Sequence, residues 1–175
     1  MNNRIKVLLF CLNCILFIGC DRVTKVIAKD HLIYGESISY LHDTFRLQYV
    51  ENTGAALNLG DNLPKALSFW LLSIVPLGIL VALFIYVITH LKKMNPLQVF
   101  SYSLIIAGGL GNIMDRILFD RHVTDFMNVG IYNLRTGIFN VADMGVTFGV
   151  IGLCIAYYKN RETLKPAEEH TNVEF

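Results

Sequence analysis

The stretch Leu97-Gln98-Val99-Phe100-Ser101-Tyr102-Ser103-Leu104-Ile105-Ile106-Ala107-Gly108-Gly109-Leu110-Gly111-Asn112-Ile113-Met114-Asp115-Arg116 decides the fold. It runs without a charge from Leu97 to Met114 and then stops on an acid and a base. Roughly 20 apolar residues cross a hydrocarbon core, so a run of this kind reads as a membrane span. An ionised carboxylate at the edge of a bilayer is costly unless it is paired or used. Asp115 and the two aspartates that follow, Asp125 and Asp143, are therefore candidate functional groups.

The rest of the chain agrees with a membrane setting. Of 175 residues, 54% are hydrophobic and 17% charged, and the mean hydropathy is +0.48. The net charge of +1 and the lack of a basic stripe exclude a nucleic-acid partner. Three more apolar segments, Ile5 to Cys20, Leu63 to Thr89 and Ile138 to Tyr158, bring the expected spans to four. The first is short and needs the helix-compatible flank Asp21 to Lys29 to complete its crossing. Pro96 behind Asn95 reads as a first-turn proline after an N-cap, and Pro76 should kink the second span.

An even number of spans puts both termini on one side, together with the turn around Lys92 and Lys93. Arg4, Lys6, Lys92, Lys93, Lys159, Arg161 and Lys165 crowd into those short parts, and that density favours a cytoplasmic location for both ends. Outside, Phe45, Leu47 and Tyr49 alternate with Arg46 and Gln48, the period of a half-buried strand. The second outer loop shows no clear period and reads as mobile. The expected architecture is a membrane all-α fold. It has four transmembrane helices, a small extracytoplasmic β platform in the loop at about 30–62 and a second extracytoplasmic loop at about 116–137. These form one domain over 1–159, followed by a loose polar cytoplasmic tail at 160–175.

Cys11, Cys14, Cys20 and Cys154 all lie in apolar segments, where cysteine behaves as a small hydrophobe. Cys11 and Cys14 have no second ligand pair for zinc. Phe17-Ile18-Gly19-Cys20 looks like a lipobox, which would make the chain itself a lipidation substrate, but the three further spans speak against it.

Three polar clusters should meet at the outer membrane surface. Asp21, Thr24 and Lys25 share a helix face; Asn112, Asp115 and Arg116 repeat that spacing; Asn140, Asp143 and Thr147 stripe the start of the fourth span. Each also has a plain reading. Asp21 and Lys25 make an i,i+4 pair, Asp115 beside Arg116 makes a structural ion pair closing a helix end, and Asn140 with Asp143 makes a helix cap. The glycines at 108, 109 and 111 suit close helix packing. Two carboxylates that share one proton can activate water for attack on a peptide carbonyl, and Asp125 with Asp143 make a plausible pair. Motifs for an intramembrane metalloprotease, a serine hydrolase or a presenilin-like protease are absent from the sequence. A small transporter or assembly factor using these aspartates as proton or ion sites is the alternative.

Five ordered motifs resemble the lipoprotein signal peptidase family, also called signal peptidase II. They are Asp21-Arg22-Val23-Thr24-Lys25, Asn52-Thr53-Gly54-Ala55-Ala56, the Gly108 to Arg116 stretch, Val123-Thr124-Asp125-Phe126 and Phe139-Asn140-Val141-Ala142-Asp143. Departures at Leu57-Asn58, Thr124 and Met144-Gly145 touch pocket shape and not the carboxylates. The resemblance implies a bacterial inner-membrane aspartic peptidase whose site faces the periplasm. Such an enzyme cuts diacylglyceryl-modified prolipoproteins before the lipidated cysteine, with membrane lipid as its other partner, as a monomer and without a cofactor or metal. It maps the catalytic pair onto Asp125 and Asp143. Asn112, Arg116 and Asn140 would position substrate or support the pair, Asp21, Lys25, Asn52 and Gly54 would line the site, and Asp115 would hold the end of the third span.

Overall fold

The computed structural model describes residues 2–54, 60 and 63–169, with side chains through 161. Ala55-Ala56 and Leu57-Asn58, singled out in the sequence, lie outside the described residues, as does the tail at 170–175. Helix α1 (Asn3–His31) is followed by strands β1 (Ser37–Tyr40) and β2 (Phe45–Asn52). The second span is built from α2 (Lys65–Phe69), a π-helical turn (Trp70–Ile74) and α3 (Val75–His90), and it ends in a 3-10 turn at Leu91–Lys93. Then come α4 (Pro96–Leu118), β3 (Val123–Ile131), β4 (Leu134–Arg135) and α5 (Val141–Glu169). Among the described residues, four helical stretches are long and apolar enough to cross a membrane: Asn3–His31, Lys65–Lys93, Pro96–Leu118 and Val141–Arg161. The chain is a multi-pass membrane protein with a small antiparallel sheet beside its four-helix bundle.

Helix α4 is the centre of the bundle and packs against α1, α3 and α5. Its start is the expected cap: the Asn95 side chain accepts from Gln98 N, the Gln98 side chain accepts from Asn95 N, and Pro96 sits at the first position. Its glycines permit the close approach of its neighbours. A Cβ on Gly108 would lie 2.3 Å from the carbonyl oxygen of Ala142, and one on Gly111 would lie 2.8 Å from Asp21 Oδ2. At one end of the bundle Phe10, Val87, Leu91, Met94, Val99 and Ile106 form the apolar core. Buried Lys6 closes that end by donating to the carbonyls of Leu91 (3.3 Å), Lys92 (3.1 Å) and Met94 (2.6 Å). The amino terminus and the α3–α4 turn therefore share a side.

Two elements differ from the sequence reading. The second outer loop is not a mobile connection: it contains β3 and β4, which join β1 and β2 in one sheet of order β1-β2-β3-β4. Residues 123–126 of β3 are all buried, so both faces are covered and no polar alternation is written into the sequence. The second span also contains a π turn, Trp70–Ile74, just before Pro76. Proline has no N–H to give the preceding turn, and a widened turn is one way to accommodate that loss. Helix α5 starts at Val141, because Phe139 is still bridged to Met127 in the sheet, and it continues as helix to Glu169 where a loose tail was expected from 160.

Candidate active site

Helix α1 brings Asp21, Arg22 and Lys25 against the end of α4. Asp21, Lys25 and Asp115 are each 1% exposed or less. Lys25 Nζ lies 2.8 Å from Asp21 Oδ2 and 2.8 Å from Asp115 Oδ2, and Arg22 pairs with the other oxygen of Asp115. Two acids thus meet two bases. Charges this deeply buried are tolerated only when paired, and removing one member of such a set costs about 3–5 kcal/mol. Asp21 Oδ1 also accepts from the backbone N–H of Ala142 (2.9 Å), which fastens α1 to the first turn of α5 and satisfies one of that helix's open amide groups.

The ion pair expected between Asp115 and Arg116 does not form. Successive residues on a helix point about 100° apart, so Asp115 turns toward α1 while Arg116 turns toward the sheet. Arg116 Nη2 donates to the carbonyl of Gly54 (2.7 Å), and Gly54 N donates to Asn52 Oδ1 (2.9 Å), which holds the end of β2 beside α4.

Beyond the ion pairs lies a set of asparagines. Lys25 Nζ donates to Asn112 Oδ1 (3.1 Å), the same oxygen that accepts from Asn140 Nδ2 (3.0 Å). With its oxygen fixed in this way, Asn112 turns its Nδ2 toward Asp143 Oδ1 (2.7 Å). Asn140 Nδ2 also donates to Asp125 Oδ1 (2.6 Å), and Asn52 Nδ2 donates to Asp125 Oδ2 (3.0 Å). The α5 cap is reciprocal: Asn140 N donates to Asp143 Oδ2 and Asp143 N to Asn140 Oδ1, both at 3.0 Å. Asn140 therefore hydrogen-bonds both Asp125 and Asp143. The cap and the polar cluster, alternatives in the sequence, are one structure.

Asp125 and Asp143 open into a cavity of about 710 Å³ that Asn52, Asn112 and Arg116 also line. Asp125 stands on β3, where the strand passes β2 in the register Val50↔Asp125 and Asn52↔Val123. Burial pushes its carboxyl up to about 6; hydrogen bonds from Asn52 and Asn140 and the charge of Lys25 oppose that rise, and the charge of Asp143 adds to it. Asp125 therefore keeps a proton to a higher pH than an ordinary carboxyl group, next to a second carboxylate that senses its charge. Such a pair can donate and accept a proton at one reacting centre. The cavity continues from the polar end along Val129 and Thr136 of the sheet region to Thr147 and Phe148 of α5.

All the sequence candidates, Asp21, Lys25, Asn52, Gly54, Asn112, Asp115, Arg116, Asp125, Asn140 and Asp143, fall in this one assembly. Reading the sequence missed Arg22 as the partner of Asp115, although it stands next to Asp21 in the quoted motif. It also missed the apolar wall of the cavity, since Val129, Thr136 and Phe148 carry no local signal. Among the described residues no group of three or more His, Cys, Asp or Glu side chains could hold a metal ion.

Comparison with known proteins converges on one family. The family described as Signal peptidase (SPase) II matches residues 13–159. A lipoprotein signal peptidase of Chlorobium phaeobacteroides is 37% identical over 158 residues, covering 85% of this chain and 95% of the relative. One from Clostridium tetani is 39% identical over 147 residues, covering 83% and 89%. A solved bacterial membrane enzyme superposes with a TM-score of 0.72 at 30% identity, covering 89% of this chain and 90% of its own.

Proposed function

Because the chain belongs to the signal peptidase II family, we propose that it removes signal peptides from diacylglyceryl-modified bacterial prolipoproteins, cutting just before the lipidated cysteine. Asp125 and Asp143 are the catalytic pair. The observation that carries this reading is Asn140, which donates from its side chain to Asp125 and from its backbone to Asp143 and so holds both carboxyl groups on one cavity.

In the mechanism, Asp143 takes a proton from a water molecule while the water oxygen bonds to the scissile carbonyl carbon. Asp125, which keeps its proton to about pH 6, donates it to the carbonyl oxygen. The resulting tetrahedral diol collapses: the C–N bond breaks, the amine of the lipidated cysteine leaves with the proton held by Asp143, and a hydroxyl proton of the diol returns to Asp125 as the new carboxyl group forms. Both carboxyl groups end as they began. Arg116, with its Nη2 fixed on Gly54 and its Nε buried without a partner, positions the substrate backbone. The Val129 to Phe148 wall receives the apolar part of the substrate.

The proposal places the protein in a bacterial inner membrane as a monomer, with both termini cytoplasmic and the site at the periplasmic face. The basic residues near Lys6, Lys92 and Lys159 support that orientation. A cytoplasm-dependent reporter fused after Lys159 should be active. The transporter alternative is not favoured, because the acids gather at one end of the bundle instead of lining a path through it. Incubating the purified protein with a lipidated prolipoprotein should release the signal peptide, and an unlipidated precursor should remain intact. Failure to cut the lipidated form would end the proposal.

A further inference from the structure

The free end of the sheet has a composition that the site does not explain. Two hairpin tips meet there: the β1–β2 turn at 41–44 and the β3–β4 turn at 132–133. Phe45 pairs with Val129, and Gly130 N donates to the carbonyl of Thr44 (2.9 Å). Both tips present large apolar side chains to the outside. Leu41 is 75% exposed, Ile131 63%, Tyr132 88% and Leu134 85%, with Tyr40 half exposed beside them. Scattered exposed apolar residues are ordinary, but a contiguous set marks an interaction surface.

This surface is held in place at some cost. Leu41, His42, Asp43 and Tyr132 all have left-handed backbones, with φ of 52°, 52°, 67° and 50°. Such conformations persist in non-glycine residues only when their surroundings fix them. The fixing is done by charge. Asp43 accepts from Arg46 Nε (2.6 Å), Arg46 Nη2 (2.5 Å) and Ser39 Oγ (2.7 Å), and its carbonyl accepts from Arg135 Nη1 (2.6 Å). Arg46 and Ser39 hold the Asp43 carboxyl well below the usual carboxylate range. The acid and the two arginines of the tips are thus committed to each other, leaving tyrosine and aliphatic side chains, with His42 and Asn133 among them, as the outward chemistry.

Position decides what covers this surface. Val129 and Thr136, at the base of the second tip, line the same cavity as Thr147 and Phe148 of α5. Phe148 is 56% exposed and is followed by half-exposed Ile151 and Ile155 along a membrane span. The part of the sheet that carries Val129 and Thr136 therefore shares a cavity with the exposed side of α5. Tyrosine with aliphatic neighbours is the mixture found where protein meets the boundary between headgroups and acyl chains. We propose that the paired hairpin tips insert into the membrane interface of the bilayer that the four helices cross, anchoring the sheet beside the cavity. The partner is the lipid surface itself.

Trp70 is the chain's single tryptophan, which allows a direct test. Tyr132→Trp and, separately, Leu41→Trp are made in a Trp70→Phe background and reconstituted into vesicles of phosphatidylethanolamine and phosphatidylglycerol. Part of the lipid carries bromine near the headgroup end of its acyl chains. The new tryptophan in each variant should emit at shorter wavelength than in water, lose most of its emission to brominated lipid and resist iodide. Quenching by iodide with no loss to brominated lipid would overturn the proposal. Protection from both quenchers that disappears as protein is diluted in lipid would also overturn it, by showing that a second copy covers the tips. The readout is lipid contact and not cleavage, so it stands apart from the assignment of the reaction.

Discussion

Two acidic clusters sit a few residues apart at the same end of the bundle, and their partners differ in kind. Asp21 and Asp115 face Lys25 and Arg22, opposite charges in equal number. Asp125 and Asp143 face the amides of Asn52, Asn112 and Asn140 and the backbone of Asn140. A buried carboxylate matched by cations serves as a joint between helices. Asp125, buried among neutral donors, has its carboxyl raised to about 6 and so exchanges a proton in the range that general acid–base work requires. Lys25 and Asn112 connect the two clusters, so the joint also orients the proposed catalytic pair.

The largest expected effect tests the reactive side of this contrast. Asp125→Asn and Asp143→Asn keep side-chain shape, yet each removes a group that must exchange a proton. Cleavage of lipidated prolipoprotein should fall by about 10²–10⁴-fold or more, while both variants accumulate in the membrane at normal levels. Near-normal turnover in either would erase the distinction between the clusters. On the joint side, Asp115→Asn leaves Arg22 and Lys25 short of an anion. It should destabilise the protein by about 3–5 kcal/mol, read as a lower melting temperature in detergent, with partial activity retained. Full loss of cleavage at normal stability would move Asp115 into the reactive class.

A smaller effect sharpens the comparison through pH. The hydrogen bond from Asn52 lowers the Asp125 pKa, so Asn52→Ala should raise it further above about 6. A hydrogen bond worth about 1 kcal/mol corresponds to somewhat under one pH unit, and the alkaline limb of the rate profile, which reports the carboxyl group that must stay protonated, should move up by that order. Stability gives the matching sign. A folded-state pKa raised from 3.8 to about 6 means that the native protein binds more protons across that interval. The Asp125 contribution to stability is therefore fully present below about 4 and is lost as pH rises to about 6. Asp125→Asn should gain on the parent over that window, as melting temperatures at successive pH values would show. The smallest expected effect is none: chelators should leave cleavage unchanged, and loss of activity restored by zinc would contradict a reaction run by two carboxyl groups.

Much of the frame was legible in the sequence, because membrane spans and helix caps are local. The four apolar runs, the Asn95-Pro96 start and the i,i+3 and i,i+4 polar faces all follow from residues close in the chain. Convergence of Asp21, Asn112, Asp125 and Asn140 followed from counting spans. What the sequence hid depended on facing elements. Arg116 is the neighbour of Asp115 in the chain, but Arg22 and Lys25, some ninety positions earlier, are its neighbours in space. Strand β3 was hidden because burial on both faces removes the alternation that reveals a strand. The cavity wall was hidden because Phe148 looks like any lipid-facing residue until Val129 is known to lie across from it.

The bond from Ala142 N to Asp21 Oδ1 also bears on how the protein is made. Residue 21 leaves the ribosome long before residue 142: the anions and cations of the joint arrive in two instalments, from α1 and α4, and the backbone amide of Ala142 follows with α5. Until the fourth span has been inserted, Asp21 lacks one of its partners and Asn112 has neither Asn140 nor Asp143 to meet. A chain interrupted after α4 would carry the joint without the reactive pair. On the proposed assignment, the chain therefore gains its catalytic pair only when its last helix has docked.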